Sequence, residues 1–172
     1  MFTGIVQGRG ELKAMDDHIG GRRLEVWLPE ASRGEIQVGA SIAVAGVCLT
    51  VVESGPDWAR FDVIAETLRL TTLNTLQIGE AVNIERAARF SDEIGGHLLS
   101  GHVSGTATVV KRLELEQETQ LHIELPQALH PYILPKGFVA VDGISLTIGR
   151  VEDGCFSVHL IPETLRRTTL DR

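Results

Sequence analysis

Two tripeptides place a reactive side chain two residues before a threonine: Cys48-Leu49-Thr50 and Ser145-Leu146-Thr147. On a β-strand, positions i and i+2 share a face, so each tripeptide presents a thiol or hydroxyl beside a second hydroxyl. Facing solvent, such a pair does little. Facing a pocket, it supplies a nucleophile or donors for a developing anion. Glu66-Thr67 and Glu163-Thr164 set an acceptor beside a donor, which suits the imide-like edge of a heterocycle. They equally suit the start of a short helix, where a carboxylate meets the positive helix end. His102, His159 and Asp142 add groups that hold or move protons. Each has a plainer use: Asp142-Gly143 as a hairpin turn, Cys48 as a core thiol, His159 as an exposed strand residue. His97 and His102 are not accompanied by an H-x-H, C-x-x-C or H-E-x-x-H pattern, so no metal is expected.

These residues belong to a repeat. Gly46-Val-Cys-Leu-Thr50 matches Gly143-Ile-Ser-Leu-Thr147, and Glu66-Thr-Leu-Arg69 matches Glu163-Thr-Leu-Arg166. Thr71-Thr-Leu73 matches Thr168-Thr-Leu170, Leu28-Pro29 matches Leu125-Pro126, and Gly4, Val6 and Gly8 match Gly101, Val103 and Gly105. Every pair is 97 residues apart. About twenty identities over roughly seventy-five positions, without a net gap, indicate a duplicated unit the size of a small barrel. Two related units suggest two related ligands, as a reaction between two identical small molecules would need. The units are unequal: Ile5 becomes His102, Gly39 becomes Lys136, Ala45 becomes Asp142, Cys48 becomes Ser145 and Asp62 becomes His159. The second copy is the richer in ionisable groups, so one site reads as mainly binding and the other as equipped for proton transfer.

The elements that must carry these residues are short strands. Leu24–Leu28, Ser41–Ala45, Ala59–Ile64 and Ala81–Ile84 are rich in Val, Ile and other apolar residues, and several alternate apolar with polar. Gly and Pro punctuate them at turn-like intervals. Only Glu66–Leu73 and Pro126–Leu134 suggest helices, both short. The chain reads as all-β, an antiparallel barrel or sandwich, and the repeat divides it into two tandem units, 1–97 and 98–172. Arg172 aligns with Thr75, so the second copy has no counterpart to Leu76–Glu85, the closing strand of the first, and we expect that strand to lie beyond Arg172. The 172 residues carry 16 Lys and Arg against 23 Asp and Glu, a net charge of −7, and show no basic stripe for nucleic acid. With 43% hydrophobic and 23% charged residues the chain is not a disordered one. The longest nearly apolar run, Ile42–Val52, is too short to span a bilayer, and no secretory signal opens the sequence. Two cysteines, Cys48 and Cys155, fit free thiols in a reducing cytoplasm.

Several runs together resemble the alpha-subunit type of riboflavin synthase. They are Met1-Phe-Thr-Gly-Ile-Val-Gln7, Gly46–Thr50, Phe90-Ser-Asp-Glu-Ile-Gly-Gly-His97, Ser100-Gly-His102, Asp142–Thr147 and Ile161-Pro-Glu-Thr-Leu165. The resemblance implies two tandem six-stranded antiparallel Greek-key barrels and a transferase reaction without metal or redox cofactor. Two molecules of 6,7-dimethyl-8-ribityllumazine exchange a four-carbon unit, giving riboflavin and 5-amino-6-ribitylamino-pyrimidinedione. It implies a first site of Cys48, Leu49, Thr50, Asp62, Val63, Ile64, Ala65, Glu66 and Thr67, met by Gly101, His102, Val103 and Lys136 of a neighbouring copy. The second site would use Gly4, Ile5, Val6, Ser145, Leu146, Thr147, His159, Leu160, Ile161, Pro162, Glu163 and Thr164. The expected roles are proton transfer for His102 and anion stabilisation or nucleophile orientation for Ser145 and Thr147. Cys48 would contact the acceptor lumazine and Asp142 would orient the second site. Ser145, Thr147 and His159 should line one concavity, with Cys48, Thr50 and Glu66 in its counterpart.

The implied partners are the ribityllumazine, further copies in a homotrimer, and lumazine synthase. The resemblance also implies a segment after Arg172 that supplies a strand, a functional carboxylate and a trimer-forming helix. A chain ending at Arg172 is expected to associate weakly and to be nearly inactive. The competing reading is a non-catalytic lumazine- or flavin-binding antenna, which would have lost Cys-Leu-Thr, Ser-Gly-His and Ser-Leu-Thr. All three runs are intact.

Overall fold

The structure, a computed structural model, describes residues 1–171. The first repeat folds into β1 (Gly8–His18), β2 (Gly21–Trp27), β3 (Ser41–Val44), β4 (Val47–Ser54), β5 (Trp58–Ile64), the helix α1 (Ala65–Leu70) and β6 (Ala81–Arg86). These strands close an antiparallel barrel in the order β1-β2-β5-β4-β3-β6. The second repeat forms β7 (Thr108–Glu114), β8 (Thr119–Glu124), β9 (Phe138–Val141), β10 (Ile144–Glu152), β11 (Cys155–Leu160) and the helix α2 (Pro162–Arg167). Its sheet runs β7-β8-β11-β10-β9, the order of the first barrel without a counterpart to β6. The all-β reading agrees with the expectation, as does the absence of a sixth strand from the second sheet among the described residues.

Alternation sets the core. In β4, Val47, Leu49 and Val51 point inward and are buried, which leaves Cys48 and Thr50 on the outer face. In β10, Ile144, Leu146 and Ile148 do the same and leave Ser145 and Thr147 outside. Even the bulges repeat: β1 shifts register between Leu12 and Ala14, and β7 between Val109 and Lys111. The segment at Pro126–Leu134 is a short helix, as expected. It forms a 3-10 helix over Gln127–Tyr132 that contains Pro131, a residue without a backbone donor.

The β3–β4 and β9–β10 hairpins end in two-residue turns, Ala45-Gly46 and Asp142-Gly143, with φ of 47° and 78° in one and 47° and 81° in the other. Positive φ at both positions is the type I′ geometry that matches strand twist. The tips meet: a Cβ on Gly46 would stand 2.4 Å from the Gly143 nitrogen. Buried Asn83 of β6 ties the halves further, donating to the Asp142 carbonyl (3.0 Å) and accepting from the Thr169 amide (2.9 Å).

Candidate functional site

The two repeats exchange their N-terminal arms. The Ser145 N–H donates to the Gly4 carbonyl, and the Cys48 N–H donates to the Gly101 carbonyl, each at 2.9 Å. Gly4 and Gly101 are repeat equivalents, as are Ser145 and Cys48, so each arm adds backbone to the outer strand of the other unit. The arms meet at Phe2 and Leu99, also equivalents, which bond both ways at 2.9 Å. Val6 joins the core of the second sheet, while Val103 packs against the core of the first barrel. Buried Glu85 of β6 clamps the first arm. Its carboxylate accepts from the Thr3 amide (2.6 Å), the Thr3 hydroxyl (2.7 Å) and the Gly4 amide (3.0 Å).

Within one chain, Gly101 and Val103 reach the Cys48 strand, with His102 between them. Lys136 does not join them. It occupies the turn before β9, where its amide donates to Ile148, at the end of that strand remote from the Asp142 turn. The reason is topological: the strand β9 belongs to the second sheet and only its tip touches the first barrel.

Around the first site, Cys48 is half-buried under the Gly101 arm, Leu49 and Val63 are in the core, and Thr50, Asp62, Ile64 and Ala65 are exposed. Arg23 holds the Asp62 carboxylate through two hydrogen bonds (2.7 and 3.0 Å) and keeps it below the usual carboxylate range. Arg69 does the same to Glu66 within α1 (2.9 and 2.6 Å). The Thr67 carbonyl accepts from the Thr71 hydroxyl. The His102 side chain is exposed, with only its backbone amide bonded, to the Ser100 hydroxyl.

Around the second site, Gly4 and Val6 are buried while Ile5 is exposed. Leu146 and Leu160 lie in the core, and Thr147, Ile161 and Pro162 are exposed. Glu163 pairs with Arg166 and Arg167, which lower its pKa, and the Thr164 carbonyl accepts from Thr168. Burial pushes the Asp142 carboxyl upward. Ser145, Thr147 and His159 share the outer face but not one hollow. A groove of about 440 Å³ has His159 in its wall, beside Lys111, His122, Arg150 and Ser157. Ser145 and Thr147 are not part of that wall, because the Gly4 arm covers Ser145. His159 itself pairs with Glu118 at 2.9 Å.

The sequence reading missed two residues here. His97, weighed only as a metal ligand, bonds Ser145 through Nδ1 at 2.7 Å. Its place in Gly95-Gly96-His97, just before Ser100-Gly-His102, was the available signal. Glu85 stood in an apolar strand and gave no sign of its role. Among the described residues, no cluster of three or more His, Cys, Asp or Glu is arranged to hold a metal, and no helix is long and apolar enough to cross a membrane.

The lumazine binding domain family matches this chain twice, over residues 3–87 and 100–172. The riboflavin synthase of Escherichia coli K12 is 50% identical over 173 residues, covering all of this chain and 81% of that protein. The riboflavin synthase of Mycobacterium tuberculosis is 43% identical over 175 residues, covering 99% of this chain and 86% of that protein. Among solved structures, LumP complexed with riboflavin superposes with a TM-score of 0.91 at 29% identity, covering 99% of this chain and 92% of that one. LumP complexed with 6,7-dimethyl-8-(1′-D-ribityl) lumazine gives 0.89 at 28% identity, with the same coverage. With two matched repeats and similarity to these enzymes along the whole of this chain, the chain belongs to the riboflavin synthase family.

Proposed function

We propose that the protein catalyses the dismutation of two 6,7-dimethyl-8-ribityllumazine molecules to riboflavin and 5-amino-6-ribitylamino-pyrimidinedione. The two products together contain the atoms of the two substrates, so the four-carbon transfer needs no external oxidant or reductant. The observation that carries this reading is a pair of equivalent but chemically unequal outer-strand sites, Cys48-Leu49-Thr50 and Ser145-Leu146-Thr147, each roofed by the other repeat's arm. One lumazine must lose a proton from its 7-methyl group, and the other must accept a nucleophile at C7. Holding both in fixed orientation supplies much of the rate.

In this reading, residues 1–97 and 98–172 are the two lumazine-binding units. Exposed His102 exchanges the methyl proton with solvent, Ser145 and Thr147 stabilise the developing anion, and Cys48 contacts the acceptor. Asp142 orients the second site through its turn. Asp62–Thr67 and His159–Thr164 border the two ligands. Lys136 serves a first-type site only from another copy, which is our reason for proposing a homotrimer whose active sites are shared between copies. Free Cys48 and Cys155 suit a reducing compartment, and we place the reaction in the cytoplasm, with lumazine synthase as the supplier of substrate.

The test is direct: add the ribityllumazine to the purified protein and follow riboflavin absorbance. Riboflavin should appear at half the rate at which lumazine is consumed. Binding without turnover would replace the enzyme by the antenna reading. His102→Gln should lower kcat more than it weakens lumazine binding, since proton transfer is made in the transition state. Wild-type turnover in that variant would move the base elsewhere.

A further inference from the structure

His97 is held on three sides. Its amide donates to the Thr3 carbonyl (3.0 Å), its ring lies 4.4 Å from the Phe138 ring at a 32° tilt, and its Nδ1 stands 2.7 Å from the Ser145 hydroxyl. Gly96 makes the approach possible. A Cβ there would meet the Thr3 carbonyl oxygen at 2.2 Å and the Ser145 Cβ at 2.7 Å, so only glycine lets the chain pass close enough for the next residue to reach Ser145. Ser145 is fixed from the other side by its amide bond to the Gly4 carbonyl. Partial burial holds the imidazole below its usual pKa, so at neutral pH one ring nitrogen is an acceptor. Cys48, the equivalent of Ser145, bonds the Gly101 carbonyl through its amide but has no histidine on its thiol among the described residues.

We propose that His97 is the positioning residue of the second site: its Nδ1 accepts the hydrogen bond of the Ser145 hydroxyl and thereby aims the Oγ lone pairs at the bound lumazine. Orienting the hydroxyl in advance removes a reorganisation step from the reaction. The same pair is absent at Cys48, so it separates the two sites chemically. This rests on the reading of the protein as a ribityllumazine dismutase.

The experiment compares the wild type with His97→Leu, His97→Asn, Ser145→Ala and the double variant His97→Leu/Ser145→Ala. Thermal melting first establishes that each is folded. Turnover of 6,7-dimethyl-8-ribityllumazine and its binding are then measured. His97→Leu should lower kcat by about tenfold or more, with KM changed by less than about twofold. His97→Asn offers an amide oxygen near the place of Nδ1 and should recover most of that loss. In the Ser145→Ala background, His97→Leu should cost less than about twofold, because the two residues act as one unit. An equal loss in both backgrounds overturns the proposal, as does His97→Asn being as slow as His97→Leu. A measurement independent of turnover reads the pair itself. The ¹⁵N spectrum of His97 at pH 7 should show the neutral Nε2–H tautomer, with an Nδ1 resonance that moves in Ser145→Ala. An Nδ1–H tautomer, or a resonance indifferent to Ser145→Ala, overturns the proposal. A wild type that binds lumazine without converting it defeats the dismutase reading alone, and the tautomer still decides the pair.

Discussion

The outer face of β2, β4 and β5 and the matching face of β8, β10 and β11 share a backbone and little else. In the first barrel that face is filled by charge. Arg60 lies between Glu25 (2.7 Å) and Glu53 (2.6 Å) and stacks 4.9 Å from the Trp58 ring, while Arg23 pairs with Asp62. Ninety-seven residues on, Arg23, Glu25, Glu53, Trp58, Arg60 and Asp62 become Gln120, His122, Arg150, Cys155, Ser157 and His159. The filled face becomes a groove of about 440 Å³. The inward residues, by contrast, stay apolar at the same positions: Leu49 and Leu146, Val51 and Ile148, Phe61 and Val158. Packing constrains a core position through volume, whereas an outer position of a strand is free to change its chemistry without disturbing the barrel. Duplication therefore preserved the scaffold and let the two faces diverge.

The two regions are coupled at the hairpin tips and through the exchanged arms, and five variants probe that arrangement, in decreasing order of effect. Gly46→Ala forces a Cβ against the Gly143 backbone at 2.4 Å on a residue with φ of 78°. It should destabilise the protein by about 3 kcal/mol or more in denaturant unfolding. Both repeats should loosen together; a change confined to the first barrel would show that the tips are not coupled. Glu85→Gln should come next, at about 2–3 kcal/mol, because its amide group turns a donor toward amides that need an acceptor. Glu85 belongs to the first barrel, yet hydrogen exchange should accelerate in β10 beside Ser145, since the released arm is the one that covers it.

Val6→Ala should cost about 1.5–2.5 kcal/mol, and the cavity should open in the second core although Val6 is part of the first repeat. Val103→Ala, at the equivalent and half-buried position, should cost less and act on the first barrel. Equal effects on the same half would refute the exchange. The smallest change is expected for Asp142→Asn. Burial raises the Asp142 carboxyl in the folded state, so the folded protein binds that proton more readily than the unfolded chain. This carboxyl thus subtracts stability as the pH rises from the unfolded pKa through the folded one. Asn tolerates the positive φ of the turn and lacks the charge. The variant should melt slightly higher at neutral pH, and the gain should vanish in acid. A gain that persists at low pH would point to the turn rather than the charge.

Much of this molecule was legible from residue order. The offset of 97, the strand alternation and the Ala45-Gly46 and Asp142-Gly143 turns are local patterns, and local patterns determine backbone conformation. They led to two equivalent units, to a second unit lacking a counterpart to the closing strand, and to Cys48 with Thr50, and Ser145 with Thr147, sharing a face. Even the bland reading of Asp142-Gly143 as a hairpin turn holds, because a type I′ turn needs two residues that accept positive φ. What order alone did not contain was which unit each arm would cover. Gly4 and Gly101 carry the same local signal whether they serve their own repeat or the other. The choice is made by the meeting of Phe2 with Leu99 and of Gly46 with Gly143, contacts between residues far apart in the chain. His97 was illegible for the same reason. Nothing within its own stretch indicates a partner 48 residues away, and only the packing of the arm against β10 brings its ring to Ser145. Sequence determined the elements and their faces because those follow from short-range sterics and hydrophobic period. Tertiary structure decided the long-range pairs such as His97 with Ser145, because a hydrogen bond between distant residues exists only once the chain has closed around it.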